Sequence, residues 1–209
     1  MSDFTLAARE LSELDQRIKK HALLSSIGFI ILLPVGALVG RYLRTFTGSW
    51  FWAHSIIQFL IAGPVIFAGW AFGYQSTAAL NTGGHFFDRH KRIGLALLLL
   101  YLVQVFLGTI IHFFKSPRSF SGRRPPQNYI HAIIGLTTIA LAFYQVHLGI
   151  KTEWVEGTGD GTVVPQSALN AWIALIVIFW VLYAAGLALL PRQYAREEAG
   201  RNGVAEKAP

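Results

Sequence analysis

Four of the seven histidines in this 209-residue chain open greasy stretches of sequence. His21 begins "HALLSSIGF", His54 lies in "WFWAHSIIQF", His90 opens "HKRIGLALLLL" and His131 opens "HAIIGLTTIAL". An imidazole can hold a metal through a neutral ring nitrogen or carry a proton near neutral pH. Ionisable side chains at membrane depth are costly, and where they occur they are usually functional. No sulfur ligand competes for that role, because the chain has no cysteine and its single methionine is Met1. Thiolate metal sites, iron–sulfur clusters, disulfides and thioether-linked cofactors are therefore excluded.

The elements that must position these histidines are long apolar helices. The chain is 53% hydrophobic and 14% charged, whereas soluble domains carry about 25% charged residues. Five stretches approach the roughly 20 apolar residues that a bilayer core requires: 21–43, 50–74, 93–114, 129–150 and 168–190. Trp50, Trp52, Tyr74, Tyr129 and Trp172 fall near their ends, where aromatic belts form. The fold class expected is all-α, an integral, multi-pass membrane bundle in which four histidine-bearing helices form a core and a fifth is added. The net charge of +7 does not point to nucleic acid, since the basic residues lie between apolar segments and mark membrane interfaces.

Segment 21–190 is thus read as one transmembrane domain, with connections too short for a second. Residues 1–20 are polar and mixed in charge, unlike a secretory signal, and can form an amphipathic helix with Leu6, Leu11, Leu14 and Ile18 on one stripe. Residues 191–209 are expected to be a disordered tail. Ten Lys and Arg flank the spans on the C-terminal side of the membrane and eight on the other, which places the C-terminus in the cytoplasm. Plasma membrane and endomembrane are equally compatible with the sequence.

Alternating helix direction sorts the histidines. His21 and His90 start spans that enter from one face, and His54 and His131 start spans that enter from the other. The two pairs lie at opposite faces of a core about 30 Å thick, so one metal bound by all four is geometrically poor. Two sites, each with two facing imidazoles, suit low-spin b-type haem, and helix bundles build such sites from facing helices. Ser25, Gly94 and Gly135 stand one turn beyond His21, His90 and His131 and leave room for a flat cofactor, while Gln58 holds that place after His54. A rival scheme uses two ligands per helix. His90 and His112 are 22 residues apart, about 33 Å of helix, too far for two haems inside the core. His131 and His147 differ by 16 residues, about 160° around the helix. His112 and His147 are therefore read as interfacial or hydrogen-bonding residues, and His85 as a loop residue.

With these four stretches in order, the chain resembles the cytochrome b561 family of transmembrane electron-transfer haemoproteins. "LLPVGALVGRY" is especially similar to the b561 module that follows a DOMON domain in fungal and plant fusion proteins. The resemblance implies two non-covalent bis-histidine b haems, with His21 paired to His90 and His54 to His131. It covers about 21–190 but departs from many members in having five spans rather than six. No DOMON domain is present, so the chain is expected to be a stand-alone module or a piece of a larger one. The lysine-bearing ascorbate motif is not apparent before His54, where "GSWFWAH" stands with Arg41 and Arg44 nearby.

Function follows as electron transfer across the membrane, an oxidoreductase role that uses haem iron. The donor would be an anionic reductant such as ascorbate. The acceptor would be ferric iron, monodehydroascorbate or a haem domain. Lys91, Arg92, Arg123 and Arg124 are candidates to pair with haem propionates or to attract the reductant, alongside Arg41 and Arg44. The partners to be expected are the lipid bilayer, a redox protein or DOMON-type haem domain, and a second copy of the chain as a homodimer. The competing class is a transporter or channel that uses intramembrane histidines for protons or metal ions. Pro34 and Pro64 would then break spans 1 and 2.

Overall fold

A computed structural model describes residues 12–80, 84–114, 124–158 and 163–205. Arg123, the first 11 residues of the leader and the last four of the tail lie outside the described residues. Five helices are long and apolar enough to cross a membrane: α1 (Glu13–Phe46), α2 (Trp50–Leu80), α3 (Arg89–Phe113), α4 (Pro126–Gly157) and α5 (Gln166–Leu187). A sixth, α6 (Leu190–Ala205), follows. The chain is an all-helical, multi-pass membrane bundle, as the length of its apolar stretches predicts.

Local chemistry sets the helix starts. Ser12 accepts from the Asp15 amide at 3.1 Å and Asp15 accepts from the Ser12 amide at 3.2 Å, a reciprocal cap. Asp88 caps α3 by accepting from the Lys91 amide at 2.8 Å. Pro126 occupies the first turn of α4, where a missing amide hydrogen costs nothing.

Helices α1 and α2 form one antiparallel hairpin, and α3 and α4 a second. In each hairpin a histidine near the start of one helix lies against a glycine near the end of the other. A Cβ placed on Gly73 would stand 2.6 Å from the His21 ring, on Gly40 3.0 Å from His54, on Gly108 3.1 Å from His131, and on Gly149 3.4 Å from His90. At the first three seats an added carbon would crowd the imidazole, and at Gly149 it would just touch it. Within α3 and α4 each histidine precedes its own helix's glycine by 18 residues (His90 to Gly108, His131 to Gly149). That spacing is five whole turns, about 27 Å of rise, and it nearly matches a hydrocarbon core of about 30 Å. A ring at one face and a seat at the other thus share one side of each helix.

In α1 and α2 the spacing is 19 (His21 to Gly40, His54 to Gly73), one residue too many for a regular helix. Both helices carry a wide π-helical stretch in between, at Ile27–Leu32 and Ile56–Ile61, closed by Leu33 N–H to Gly28 O and Ala62 N–H to Ile57 O. Each wide stretch ends just before a proline, Pro34 or Pro64, whose ring cannot donate to the turn behind it. The extra residue is absorbed there and the seat keeps its side. Both helices stay continuous through their prolines.

Between the two ends lies a core that includes Phe29, Ile30, Leu33, Ala62, Ile66, Leu97, Tyr101, Ile139 and Phe143. Tyr101 is 3% exposed, and its hydroxyl donates to Gln58 O in the wide stretch of α2 at 2.9 Å. Helix α5 rests on the outside of α1 and α4. It is held by Trp172 Nε1 donating to Phe143 O at 2.9 Å and by Tyr42 donating to Leu182 O at 2.6 Å. Phe179 and Gly186 are its buried residues, and most of its apolar surface faces away from the bundle.

Within the 191–209 tail expected to be disordered, the described residues to Ala205 belong to α6. Pro191 sits in the first turn, where it is tolerated, and Gln193 and Glu197, one turn apart, face arginines of the bundle. Arg41 Nη2 donates to Gln193 Oε1. Arg44 Nε lies 3.0 Å from Glu197 Oε1, and Arg124 Nη2 lies 2.6 Å from the same oxygen. Gln193 is 1% exposed. Burial disfavours the Glu197 charge, but the Arg124 hydrogen bond and the two guanidinium fields outweigh it and hold this carboxyl below the ordinary glutamate range.

Two outcomes test this architecture. Deleting Ile31 leaves α1 with the regular 18-residue spacing and should keep the unfolding midpoint within a few degrees. Deleting Leu99 rotates the Gly108 seat by about 100° and should lower the midpoint by about ten degrees, the scale of several kcal/mol. For α6, a depressed carboxyl pKa means that the stabilisation is complete above the unfolded value and is lost as pH falls through the folded one. Hydrogen-exchange protection of α6 should persist on acidification to the ordinary value of 4.5 and collapse only below it. Glu197→Gln should abolish that protection at neutral pH.

Candidate functional site

The hairpins pack so that the starts of α1 and α3 meet at one end and the starts of α2 and α4 at the other. The His21 and His90 ring centres are 6.1 Å apart with planes at 79°, and those of His54 and His131 are 6.4 Å apart at 74°. Two imidazoles bound to one metal through bonds of about 2 Å, with about 1 Å from nitrogen to ring centre on each side, give a separation of about 6 Å. Both pairs have that separation. Among the described residues no group of three or more His, Cys, Asp or Glu is placed to hold a metal ion. The sites thus offer two protein donors each, which suits a cofactor that brings its own remaining ligands.

Second contacts fix the tautomer of two of the rings. His21 Nδ1 lies 2.8 Å from Gly69 O, and His54 Nδ1 lies 2.8 Å from Gly36 O. A carbonyl can only accept, so Nδ1 carries the proton and Nε2 keeps its lone pair. The residue four before each glycine seat (Gly36, Gly69, Gln104, Gln145) meets the residue four after the histidine on the partner helix. Extra atoms at Gly69 would meet Ser25, at Gly36 Gln58, at Gly94 Gln145, and at Gly135 Gln104. The small residues Gly94 and Gly135, expected to leave room for a flat cofactor, therefore also make room for a glutamine of the opposite helix. A cavity of about 120 Å³, open on one side, extends from the first pair and is lined by His21, Ser25, Trp70, His90, Gly94 and Gly149, among others.

The remaining histidines join neither pair. His85 stacks on Tyr74 with ring centres 3.8 Å apart, His112 stacks on Phe51, and His147 lies 5.0 Å from Trp172. Among the described residues, the basic candidates Lys91, Arg92 and Arg124 are engaged with the protein itself. Lys91 Nζ is 2.6 Å from Asp88 Oδ2, Arg92 Nε donates to Asp88 O at 3.3 Å, and Arg124 pairs with Glu197. Burial raises the Asp88 pKa, but its hydrogen bonds to the Lys91 ammonium and amide, with the Lys91 charge, bring it below the ordinary range. Sequence reasoning missed the seats Gly40, Gly73, Gly108 and Gly149. Their signal is a glycine five turns after each histidine, with Gly or Gln four residues before it.

A family model described as eukaryotic cytochrome b561 matches residues 20–156, the segment that carries all four paired histidines. Three Arabidopsis thaliana proteins named as cytochrome b561 and DOMON domain-containing proteins are similar to this chain. One is 30% identical over 166 residues, covering 78% of this chain and 37% of the relative. A second is 32% identical over 149 residues, covering 68% and 33%. A third is 30% identical over 131 residues, covering 62% and 30%. The chain thus spans about a third of the length of these relatives. No solved structure matches it significantly.

The seats predict a selective lesion. Gly73→Ala drives a methyl into the His21 ring and should displace that ring alone; Gly40→Ala should displace the His54 ring alone. Imidazole resonances of histidine-labelled protein read the result. Unchanged resonances in both variants would show that ring and backbone can part at no cost.

Proposed function

Because the chain belongs to the eukaryotic cytochrome b561 family, whose members carry b-type haem and move electrons across membranes, we propose that it holds two such haems. His21 and His90 bind the iron of one, and His54 and His131 that of the other. Bound haem supplies a one-electron carrier that cycles between ferric and ferrous iron. The observation that carries this reading is the pair of ring separations, 6.1 and 6.4 Å, at opposite ends of one bundle.

The protein's own part is to hold, orient and insulate. The Gly69 and Gly36 carbonyls keep the His21 and His54 protons on Nδ1 and leave Nε2 free for iron. The glycine seats keep the rings flush against the neighbouring helix. The apolar core around Phe29, Leu97, Tyr101 and Phe143 keeps water and ions out of the space between the ends. Electrons can then cross a region that protons and anions cannot.

The donor is an anionic reductant of the ascorbate class, and the acceptor is ferric iron, monodehydroascorbate or a haem domain. The DOMON-containing relatives support the last of these. The excess of Lys and Arg on the C-terminal side supports a cytoplasmic C-terminus, with the His54/His131 end on that face. A homodimer remains a partner to test by sizing in detergent. The transporter reading draws no support from α1 and α2, which run unbroken past Pro34 and Pro64.

Single alanine substitutions test the ligand assignment. His21→Ala and His90→Ala should remove the same haem signal, and His54→Ala and His131→Ala the other. His85→Ala, His112→Ala and His147→Ala should keep both. Loss of a haem in His112→Ala or His147→Ala, with both kept in His21→Ala, would sink the assignment.

A further inference from the structure

The two hairpins treat their histidines differently. In the first, each ring Nδ1 has a backbone acceptor, Gly69 O or Gly36 O, at 2.8 Å. In the second, His90 Nδ1 and His131 Nδ1 are buried and have no hydrogen-bond partner among the described residues. The residues that stand where Gly69 and Gly36 stand, four before the glycine seat, are Gln145 and Gln104. Gln145 Nε2 donates to the carbonyl of His90 at 2.7 Å, and Gln104 Nε2 to the carbonyl of His131 at 2.8 Å. Each amide is therefore anchored on the very residue whose ring nitrogen lacks a partner. In each case the amide's own oxygen, Gln145 Oε1 or Gln104 Oε1, is also buried and unpartnered. The same unmatched donor and acceptor recur at both ends of the bundle.

A buried N–H and a buried carbonyl oxygen left unmatched are both costly, and here each stands on a residue already hydrogen-bonded to the other. A metal-bound imidazole almost always donates its other N–H to an acceptor, which fixes the ring and raises its basicity toward the metal. From this we infer that Gln145 and Gln104 are positioning residues: their Oε1 atoms accept the Nδ1 protons of His90 and His131, the task done by glycine carbonyls in the first hairpin. Each haem then has one axial imidazole set by backbone and one set by a replaceable side chain. The side-chain half is where the potential of each centre can be tuned separately. The inference rests on the bis-histidine reading above.

Redox titration of the haem-loaded protein tests it. Removing the acceptor with Gln145→Leu makes His90 a weaker donor, disfavours ferric iron and should raise the potential of the His21/His90 centre alone. A tenfold change in the ferrous-to-ferric ratio corresponds to 59 mV for a one-electron couple. Gln104→Leu should do the same to the His54/His131 centre alone. Glu at either position keeps an acceptor oxygen and should not raise the potential. Gln58 is the control: it also carries a buried unpartnered oxygen, but His54 Nδ1 already has Gly36 O, so Gln58→Leu should leave both potentials in place. A shift under twofold in both leucine variants would overturn the inference, as would equal rises for Leu and Glu. If a leucine variant loses its haem, double resonance on the oxidised native protein reads the Nδ1 protons directly. Slow exchange in heavy water for all four supports the inference, and fast exchange for His90 and His131 overturns it. If the histidine variants sort as expected and the glutamines do not, only this inference falls; if the histidines fail to sort, the ligand reading falls with it.

Discussion

A flat imidazole pressed against a bare stretch of helix backbone is the contact on which the rest of this bundle depends. It occurs four times, and each occurrence ties the start of one helix to the end of its neighbour. A side chain at Gly73, Gly40 or Gly108 would crowd the ring, with the added carbon 2.6–3.1 Å from a ring atom, and one at Gly149 would just meet it at 3.4 Å. The contact therefore fixes both the separation of the two helices and the depth at which each ring lies. Because ring and seat on one helix must face the same way, their spacing has to equal a whole number of turns. The second hairpin meets that condition with 18 residues and the first with 19 plus a wide turn. Pro34 and Pro64, which look like helix breakers, instead mark where a surplus residue is accommodated.

Electrostatics imposes the second constraint. Arg41, Arg44 and Arg124 gather at the His54/His131 end, where apolar helices meet the membrane surface. A buried guanidinium without a counterion is costly, and α6 supplies the compensation through Glu197 and Gln193. Aromatic faces share the load, with Trp50 under Arg44 and Tyr194 under Arg124, each at 4.6 Å. Arginines that might be taken for a free anion site are already part of an ordered cap.

Much of this was legible in the sequence, because lipid imposes simple rules. Uncharged stretches of about 20 residues gave five helices, and the absence of sulfur ligands with alternating helix direction brought His21 to His90 and His54 to His131. The glycine seats were harder to see, since Gly40 or Gly108 has no local signature in chains where glycine is common in membrane helices. Their signature lies five turns beyond a histidine rather than one. The helix at 190–205 escaped for a different reason. "PRQYAREEAGRNG" is polar throughout, and what orders its start is a long-range set of partners, Arg41, Arg44 and Arg124, that no local pattern reveals.

The division of each imidazole pair between two hairpins has a consequence for biosynthesis. A chain emerging N-terminus first places His21 and His54 in the membrane with the first hairpin, yet neither has its counterpart. Insertion of α3 brings His90 to His21, but the Gly149 seat and Gln145 that hold the His90 residue arrive only with α4, which also brings His131 to His54. The cap formed by α6 can close over its arginines only after that. Both ends of the protein are thus completed together by α4, and a nascent chain halted after α3 would hold an imidazole pair whose second ring has no seat.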